Sequence, residues 1–294
     1  MKVLILVLTF FAHQALACEM KHAQGVWWYI CPGQHCCQKY HGKWMQQCGG
    51  CPGSGGNTGG GSGSGGSGSL KVMSYNVFGW NALRQNSWKA KNIYRIIKDF
   101  NPDIIGIQEE EHSLNSILAG LNHQWQAAPY KTKGKVILYK NSVVTYTGGS
   151  TRQYSQYGQY HPRTLDWAQF THRSTGKKID FYNAHWCVCD GNKLLTTARE
   201  TVNWINGSKR SGSTVILTGD MNAAENSAAI NHLKASYEDS WRKIKGGANG
   251  NTMGGRKIDF VFVSRGTSVT DAKIDRRFNG QASDHYAITA TIRV

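Results

Sequence analysis

Apolar and polar positions along residues 70–294 follow two alternating patterns. Short β-branched or aromatic runs predict strands, and longer segments with apolar residues at helical spacing predict helices. The predicted helices are Ser87–Phe100, a segment that begins at Ser113, and Lys193–Ile205. The predicted strands are Lys71–Val77, Asp103–Gln108, Val136–Tyr139, Leu165–Thr171, Lys178–His185, Thr214–Thr218, Ile258–Val263 and Tyr286–Val294. This alternation of strands and helices indicates an α/β domain.

Short polar motifs stand at the ends of several of these predicted strands. They carry acids, amides and two histidines, the groups used in metal-assisted attack on phosphoesters. Loops that follow the strands of a rigid sheet are a common place for active sites. In chain order the motifs are Ser74-Tyr75-Asn76-Val77, Gly106-Ile107-Gln108-Glu109, Asn183-Ala184-His185, Gly219-Asp220-Met221-Asn222, Asp259-Phe260-Val261 and Ser283-Asp284-His285-Tyr286.

This ordered set resembles the endonuclease/exonuclease/phosphatase superfamily, which has the DNase I-like fold. The resemblance covers residues 70–294, and its strength lies in the order of six motifs that are each common alone. It implies two packed mixed β-sheets flanked by helices, a four-layer sandwich. It also implies Mg²⁺ as cofactor, with Mn²⁺ able to substitute.

The resemblance implies a role for each matching residue. Glu109 would be the main metal ligand, Asn76 would lie beside metal and phosphate, and Asp284 would be a second-metal or outer-sphere ligand. Glu110 and Glu111 are expected to be surface charges or to contribute to helix capping. The expected catalytic residues are His185, Asp220, Asn222, Asp259 and His285, and the expected substrate-binding residues are Asn76, Arg163 and Asn222.

Within that set, two histidines would share proton transfer, because imidazole titrates near neutral pH. Asp259 would orient His285, while Asp220 and Asn222 would position water and hold phosphate oxygens. Arg163 resembles an arginine that grips substrate phosphate in part of the family, although an ordinary surface arginine fits the sequence equally well.

One departure from the family concerns the partner of His185. DNase I pairs the corresponding histidine with a glutamate just before the strand that matches Val136–Tyr139. Here that stretch is Lys131-Thr132-Lys133-Gly134-Lys135, which has no acid. The residue that orients His185 is therefore missing or comes from elsewhere, and the lysines are candidates for contacts with a phosphate backbone.

The charge of the chain points towards a polyanion. The formal net charge is +16, and residues 1–69 contain four Lys and one Glu. Residues 70–294 therefore hold 30 basic and 17 acidic residues, a formal charge of +13. A basic surface can serve solubility alone, but beside phosphodiesterase-like motifs it favours nucleic acid, DNA first, as the partner.

The first 69 residues divide into three segments by composition. Residues 1–17 have an apolar core and a small-residue exit, which predicts a signal peptide and a secreted, extracellular protein. A bacterial lipoprotein site at Cys18 is the weaker alternative, because it would leave an odd number of cysteines before the linker. Residues 53–69 are almost entirely glycine and serine and predict a flexible linker.

Residues 18–52 contain six of the eight cysteines and form a cysteine-rich accessory module that resembles no family we identify. An even count in a short exported segment favours three disulfides over half a zinc site at Cys48 and Cys51. Its aromatic residues either fill a small core or form a platform for a polysaccharide or surface ligand. Elsewhere, Cys187 and Cys189 are compatible with a local disulfide, free thiols or a metal site.

Together these features predict a secreted, Mg²⁺-dependent endonuclease of low sequence specificity that hydrolyses DNA, with RNA as a second candidate substrate. We expect a monomer without a transmembrane segment. Another phosphoesterase of the same fold is the first alternative, either a sphingomyelinase-like phospholipase or a genotoxin-type DNase. The second alternative is a catalytically inactive, secreted binding effector.

Overall fold

A computed structural model describes residues 19–23, 26–30, 37–40, 43–45, 68–83, 87–130, 132, 134–158 and 162–294. The predicted signal peptide, residues 53–67 of the predicted linker and the predicted disulfides of the cysteine-rich module lie outside the described residues, and Ser69, the last residue of the predicted linker, begins a strand. The chain divides into two compact units, Met1–Gly63 and Ser64–Val294. In the first unit the described strands form one antiparallel sheet, in the order β1 (Glu19–Ala23), β2 (Val26–Ile30), β3 (Cys37–Tyr40) and β4 (Lys43–Met45).

The described part of the second unit contains two six-stranded mixed sheets. In the first, the order is β15 (Val269–Asp275), β16 (Ala287–Arg293), β5 (Ser69–Asn76), β6 (Ile104–Gln108), β8 (Lys135–Tyr139) and β7 (Gln126–Ala127). In the second, it is β13 (Tyr237–Asp239), β14 (Asp259–Ser264), β12 (Thr214–Asp220), β11 (Lys178–His185), β10 (Thr164–His172) and β9 (Val144–Gln153). Each sheet has one parallel pair, β5 with β6 and β11 with β12.

Helices cover the outer faces of both sheets, which completes the predicted four-layer architecture. Their bounds are α1 (Gly79–Ala82), α2 (Ser87–Phe100), α3 (Leu114–Gly120), α4 (Gly191–Ser208), α5 (Ala228–Ser236) and α6 (Ser240–Lys245). The DNase I-like fold is therefore confirmed. No helix in the described part of the chain is long and apolar enough to span a bilayer.

The central strands are apolar on both faces because each sheet is covered on both sides. In β5, Leu70 and Val72 belong to the core between the sheets, whereas Met73 and Tyr75 pack in the core beneath the helices. In β11, Phe181 likewise faces the space between the sheets. This two-residue alternation accounts for the continuous hydrophobic runs in the sequence.

The space between the sheets changes from apolar to polar towards one end of the strands. Beyond the apolar layer, the buried residues Ser74, Asn183 and Thr218 form a polar layer. Gly106 lets the sheets approach there, because an added Cβ would lie 2.2 Å from Oγ1 of Thr218 and 2.6 Å from Oδ1 of Asn183. The next inward-facing position on each strand is a candidate site residue, and these positions are Asn76, Gln108, His185, Asp220 and Asp259.

Candidate active site

Strand register brings the predicted site residues together at one end of the sandwich. His185 pairs with Asp220 across the parallel strands β11 and β12, and Asp220 pairs with Asp259 across β12 and β14. Asn76 ends β5 in the facing sheet, where it pairs with Gln108. Because all these side chains point between the sheets, residues from distant parts of the chain share one buried centre.

The chain leaves these strands through residues with unusual backbone conformations. Phe78, Glu109 and Asn222 have φ angles of 45°, 55° and 46°, in the left-handed region that few residues other than glycine adopt. Such conformations cost about 1–3 kcal/mol each and cluster at functional sites. Here they turn the chain sharply after the strands and place the Glu109 side chain at the mouth of the site.

Asn76 links the two carboxylates at the centre of the site. Its Nδ2 donates to Glu109 Oε1 at 2.9 Å and to Asp220 Oδ2 at 3.1 Å, while its Oδ1 accepts from the Phe78 amide at 3.0 Å. Burial raises the pKa of Glu109, and the hydrogen bond from Asn76 opposes that rise. Burial and the neighbouring charge of Asp259 raise the pKa of Asp220 well above its usual range.

The carboxylate of Asp259 holds His285 in place. The distance from His285 Nδ1 to Asp259 Oδ2 is 2.8 Å, and its Nε2 lies 3.7 Å from Asp220 Oδ2. Burial alone would lower the pKa of His285, but the charges of Asp259 and Asp220 and the bond to Asp259 raise it instead. Ser283 donates to the carbonyl of Asn76 at 2.7 Å and so fixes the loop that carries His285.

Arg163 occupies the place of the partner that the sequence lacked for His185. Its Nη1 lies 2.9 Å from His185 Nδ1. A guanidinium has only donors, so Nδ1 must accept and the ring proton lies on Nε2. That Nε2 lies 3.5 Å from Asp220 Oδ2 and 3.8 Å from Glu109 Oε1. Burial, followed by the charges of Arg163 and Lys135, holds the pKa of His185 well below its usual range.

A buried polar network lies behind Arg163, and the sequence pattern did not predict it. Lys135 Nζ lies 3.4 Å from Asp166 Oδ2 and donates to Thr132 Oγ1 at 2.8 Å and to Thr164 Oγ1. Thr151 also donates to Asp166, at 2.7 Å. Lys135 is thus buried within an ion pair and is not a surface contact for phosphate. One feature of the sequence could have predicted this network. Asp166 lies two residues before Ala168, which belongs to the core, so both side chains face inward.

The remaining predicted residues lie at the edge of this centre. The Asn222 amide donates to Asp220 Oδ1 at 2.9 Å, and its side-chain Nδ2 donates to the Trp186 carbonyl at 3.0 Å. Asp284 is exposed, and its charge adds to the rise in the pKa of Glu109, so it lies near the mouth of the site. Glu110, expected at the surface, is instead buried.

Two overlapping groups of side chains among the described residues have donor atoms close enough to share a metal ion. One contains Glu109, His185 and Asp220, and the other contains Asp220, Asp259 and His285. Within each group the donor atoms lie within 4.8 Å of one another. Carboxylate oxygens suit divalent cations, and the buried oxygen Asp259 Oδ1 has no hydrogen-bond partner, whereas His185 Nε2 carries the ring proton and has no lone pair for a metal. The donor set therefore fits a divalent ion.

The hollow at the site is small and lies at the surface. A cavity of about 30 Å³ is lined by Glu109, Glu111, Gly134, Lys135, Pro162, Arg163 and His185. A larger hollow, of about 550 Å³, lies near Lys209 and Arg265. It is at the end of β12 opposite to Asp220, and the length of that strand separates the two hollows by roughly 20 Å. The hollow at the site is thus too small to enclose a substrate.

Cys187 and Cys189 form a disulfide, which settles the alternatives left open by the sequence. The bridge follows His185 directly and precedes α4, whose N-cap residue Asp190 accepts hydrogen bonds from the amides of Asn192 and Lys193. The segment between β11 and α4 is therefore fixed by a covalent bond and by a helix cap.

Comparison with known proteins identifies the family. The model of the Endonuclease/Exonuclease/phosphatase family matches residues 78–285. The chain belongs to this family. Family members are hydrolases of phosphoester bonds, often with a divalent metal ion. No curated protein sequence matches the chain.

Solved structures with the same fold span different activities. An endonuclease/exonuclease/phosphatase family protein from Bacteroides thetaiotaomicron is 22% identical, with a TM-score of 0.64 over 76% of this chain and 97% of that one. A mannosyl-6-phosphatase from the same organism is 21% identical, with a TM-score of 0.64 over 76% and 100%. D. rerio TDP2, in complex with single strand DNA product, is 16% identical, with a TM-score of 0.64 over 77% and 99%. At these identities the likeness establishes the fold alone.

Proposed function

We propose that residues 70–294 form a Mg²⁺-dependent endonuclease that hydrolyses phosphodiester bonds of DNA, with RNA as a second substrate, and has low sequence specificity. The observation that carries this proposal is the buried centre in which Glu109, Asp220 and the His285–Asp259 pair meet behind an open site. An open site suits a long chain that runs across it, because only the scissile phosphoryl group must enter.

The chain's own residues divide the work of hydrolysis. Glu109 and Asp220, with Asn76 and Asp284 near them, would hold a divalent ion, which supplies charge neutralisation at the phosphoryl oxygens and an activated water. Asp220 lies where it can orient the attacking water. His285, held by Asp259, presents Nε2 to the same space and can pass a proton to the leaving oxygen.

His185 has a different role in this proposal from that of a second acid or base. Its Nδ1 accepts from Arg163, so its Nε2–H is a fixed donor that points into the site. A preorganised donor stabilises negative charge that develops on phosphate in the transition state. Asn222 and Arg163 would contact the remaining phosphate oxygens.

Charge supports nucleic acid over a neutral or zwitterionic substrate. Residues 70–294 carry a formal charge of +13. We further propose that the protein is secreted as a monomer, that residues 18–52 bind a surface or polysaccharide ligand, and that residues 53–69 are a flexible linker. The motivation is the leader-like composition of residues 1–17 and the glycine–serine run.

The direct experiment uses the purified protein and three substrates, each with Mg²⁺ and with EDTA. Plasmid DNA, RNA and sphingomyelin vesicles separate the nuclease from a phospholipase. Metal-dependent nicking of the plasmid is the expected result. Hydrolysis of sphingomyelin without cleavage of either nucleic acid would establish the phospholipase alternative instead. Absence of hydrolysis of all three would favour the binding effector.

We expect binding of nucleic acid to weaken steeply with salt, because cations that contact phosphates release bound counterions. Three or more phosphate contacts would lower the affinity ~10-fold or more between about 50 and 200 mM salt. The measurement is fluorescence anisotropy of a labelled oligonucleotide with the Glu109→Gln variant. An affinity that does not change across the series would mean that the charge serves another purpose.

Replacing Arg163 with alanine should lower kcat/KM by about 10–100-fold, because a hydrogen bond to a charged group contributes ~1.5–3 kcal/mol. Arg163→Lys keeps the charge but not the fork geometry, and should recover only part of the activity. Nitrogen-15 NMR of His185 should show an unprotonated, hydrogen-bonded Nδ1 in the wild type and a shifted Nδ1 resonance in Arg163→Ala, because that variant lacks the hydrogen bond to Nδ1. An unchanged spectrum and unchanged kinetics would refute the assigned partnership.

A further inference from the structure

Five large apolar side chains of the described residues are exposed. Trp80, Trp88, Tyr130, Tyr157 and Val188 are 53%, 49%, 47%, 56% and 60% exposed, while the other large apolar side chains that the structure describes are at least partly buried. Exposed aromatic residues that cluster on one part of a surface mark binding sites more often than isolated ones do. Their positions relative to the candidate active site therefore indicate where a substrate could bind.

Trp80 stands on the Glu109 side of the site. The amide of the preceding residue, Gly79, donates to the carbonyl of Glu109 at 2.8 Å. The approach is so close that a Cβ added at Gly79 would lie 2.2 Å from that oxygen. The backbone that carries Trp80 is thus packed directly against the backbone of the proposed metal ligand.

Trp88 lies near the start of α2, which joins the same side of the site. The side chain of Lys89 reaches back to α1, where Nζ donates to Asn81 Oδ1 at 2.8 Å, the residue after Trp80. The same Nζ lies 5.5 Å from the centre of the Trp88 ring. An aromatic face with a cation beside it matches the two parts of a nucleotide, a base and a phosphate.

Tyr157 and Val188 stand on the opposite side, next to the histidine. Val188 comes three residues after His185, and a Cβ added at Gly158 would lie 2.5 Å from the Val188 carbonyl oxygen. Tyr157 therefore sits on a segment packed against the loop that leaves the catalytic strand.

We propose that three of these side chains form an aromatic rim that stacks on unpaired bases on both sides of the scissile phosphate. The rim consists of Trp80, Trp88 and Tyr157. Its substrate would be single-stranded nucleic acid, because base faces are available for stacking only where they are not paired and stacked in a duplex. This inference rests on the proposed nuclease function and specifies the strand state of its substrate.

The rim fits bases better than it fits a lipid surface. Its aromatic residues come singly from three separate segments, each next to polar or charged residues such as Asn81, Lys89 and Gln156. Insertion into a membrane is favoured by a continuous apolar face, which these segments lack. The formal charge of +13 on residues 70–294 fits the phosphates that accompany the bases.

The test compares kcat/KM for cleavage of one oligonucleotide sequence as a single strand and within a hairpin duplex. Hydrolysis of bis(p-nitrophenyl) phosphate, which has no bases, measures the activity of the site itself. The variants are Trp80→Ala, Tyr157→Ala and the double variant. Trp80→Phe and Tyr157→Phe are matched controls that keep an aromatic face, and Lys209→Ala removes an exposed charge at the far end of β12. Circular dichroism establishes that each variant is folded.

Stacking contributes ~1–3 kcal/mol per base, so each alanine variant should lose about 5–150-fold in kcat/KM on the single strand. Activity on bis(p-nitrophenyl) phosphate should be unchanged, and the phenylalanine controls and Lys209→Ala should keep the wild-type preference for the single strand. The wild type should cleave the single strand at least ~10-fold faster than the duplex, the discrimination that one stacked base supplies.

Three results would overturn this inference. Equal cleavage of both strand states with no effect of the alanine variants would refute the rim and leave the nuclease function standing. Tight binding to phosphatidylcholine–phosphatidylserine vesicles that the alanine variants abolish, without an effect on oligonucleotide cleavage, would assign the rim to a membrane. Hydrolysis of bis(p-nitrophenyl) phosphate without cleavage of either nucleic acid would refute the proposed function and this inference with it.

Discussion

The His285→Ala variant should hydrolyse DNA ~10²–10⁴-fold more slowly than the wild type, the usual contribution of a positioned acid or base. His285 is the histidine whose ring is held by a buried carboxylate, at 2.8 Å from Asp259, and whose other nitrogen faces Asp220. The measurement is the rate constant of a single turnover, with enzyme in excess over DNA and with saturating Mg²⁺. Asp259→Asn should show a large part of the same loss, because the amide removes the charge that orients the ring.

The matched control is His232→Ala, on α5 and outside the proposed site. It should keep wild-type turnover. A folded His285→Ala variant with more than about a tenth of wild-type activity would exclude His285 from proton transfer, since the smallest expected loss is ~10²-fold. In that case Asp220 and the bound metal ion would have to activate water and stabilise the leaving group without an acid from the protein.

The Glu109→Gln variant should lose metal binding and with it at least ~10²-fold in turnover, because the charge stabilisation supplied by a metal is worth several kcal/mol. Glutamine keeps the size and the hydrogen-bonding position beside Asn76 but removes the anionic oxygen that lies 2.9 Å from Nδ2. Isothermal titration with Mn²⁺ measures the loss of affinity independently of activity.

Glu238→Gln serves as the control, because Glu238 pairs with Lys243 at 2.6 Å outside the site. Its Mn²⁺ affinity and turnover should match those of the wild type. If Glu109→Gln bound Mn²⁺ as tightly as the wild type, the metal would have to be held by the second group of ligands, Asp220, Asp259 and His285. Such a result would move the metal deeper between the sheets.

Much of the fold follows from periodicity in the sequence. The predicted helix Ser87–Phe100 and strand Lys178–His185 have the bounds observed in the structure. Side chains alternate between the faces of a strand, so a polar residue two or four positions beyond an inward apolar one extends the same inner row. That rule places Asn76 beyond Val72 and His185 beyond Phe181, and it explains why motifs far apart in sequence converge.

Other features depend on contacts that one sequence does not encode locally. The pairing of Arg163 with His185 joins a loop to a strand, and the Lys135–Asp166 ion pair joins the two sheets. Strand β9 escaped prediction because Val144–Gln153 is rich in Gly and Thr and lacks a clear apolar alternation. The left-handed backbone at Glu109 is likewise imposed by the surrounding packing.

The most direct test of the account is cleavage of a labelled DNA oligonucleotide by metal-free protein during titration with Mg²⁺. The wild type should be inactive in EDTA and should gain activity as Mg²⁺ is added, while Glu109→Gln should stay inactive throughout the same titration. Full turnover by the wild type in EDTA, or a wild-type response from Glu109→Gln, would contradict a phosphodiesterase centre built around Glu109.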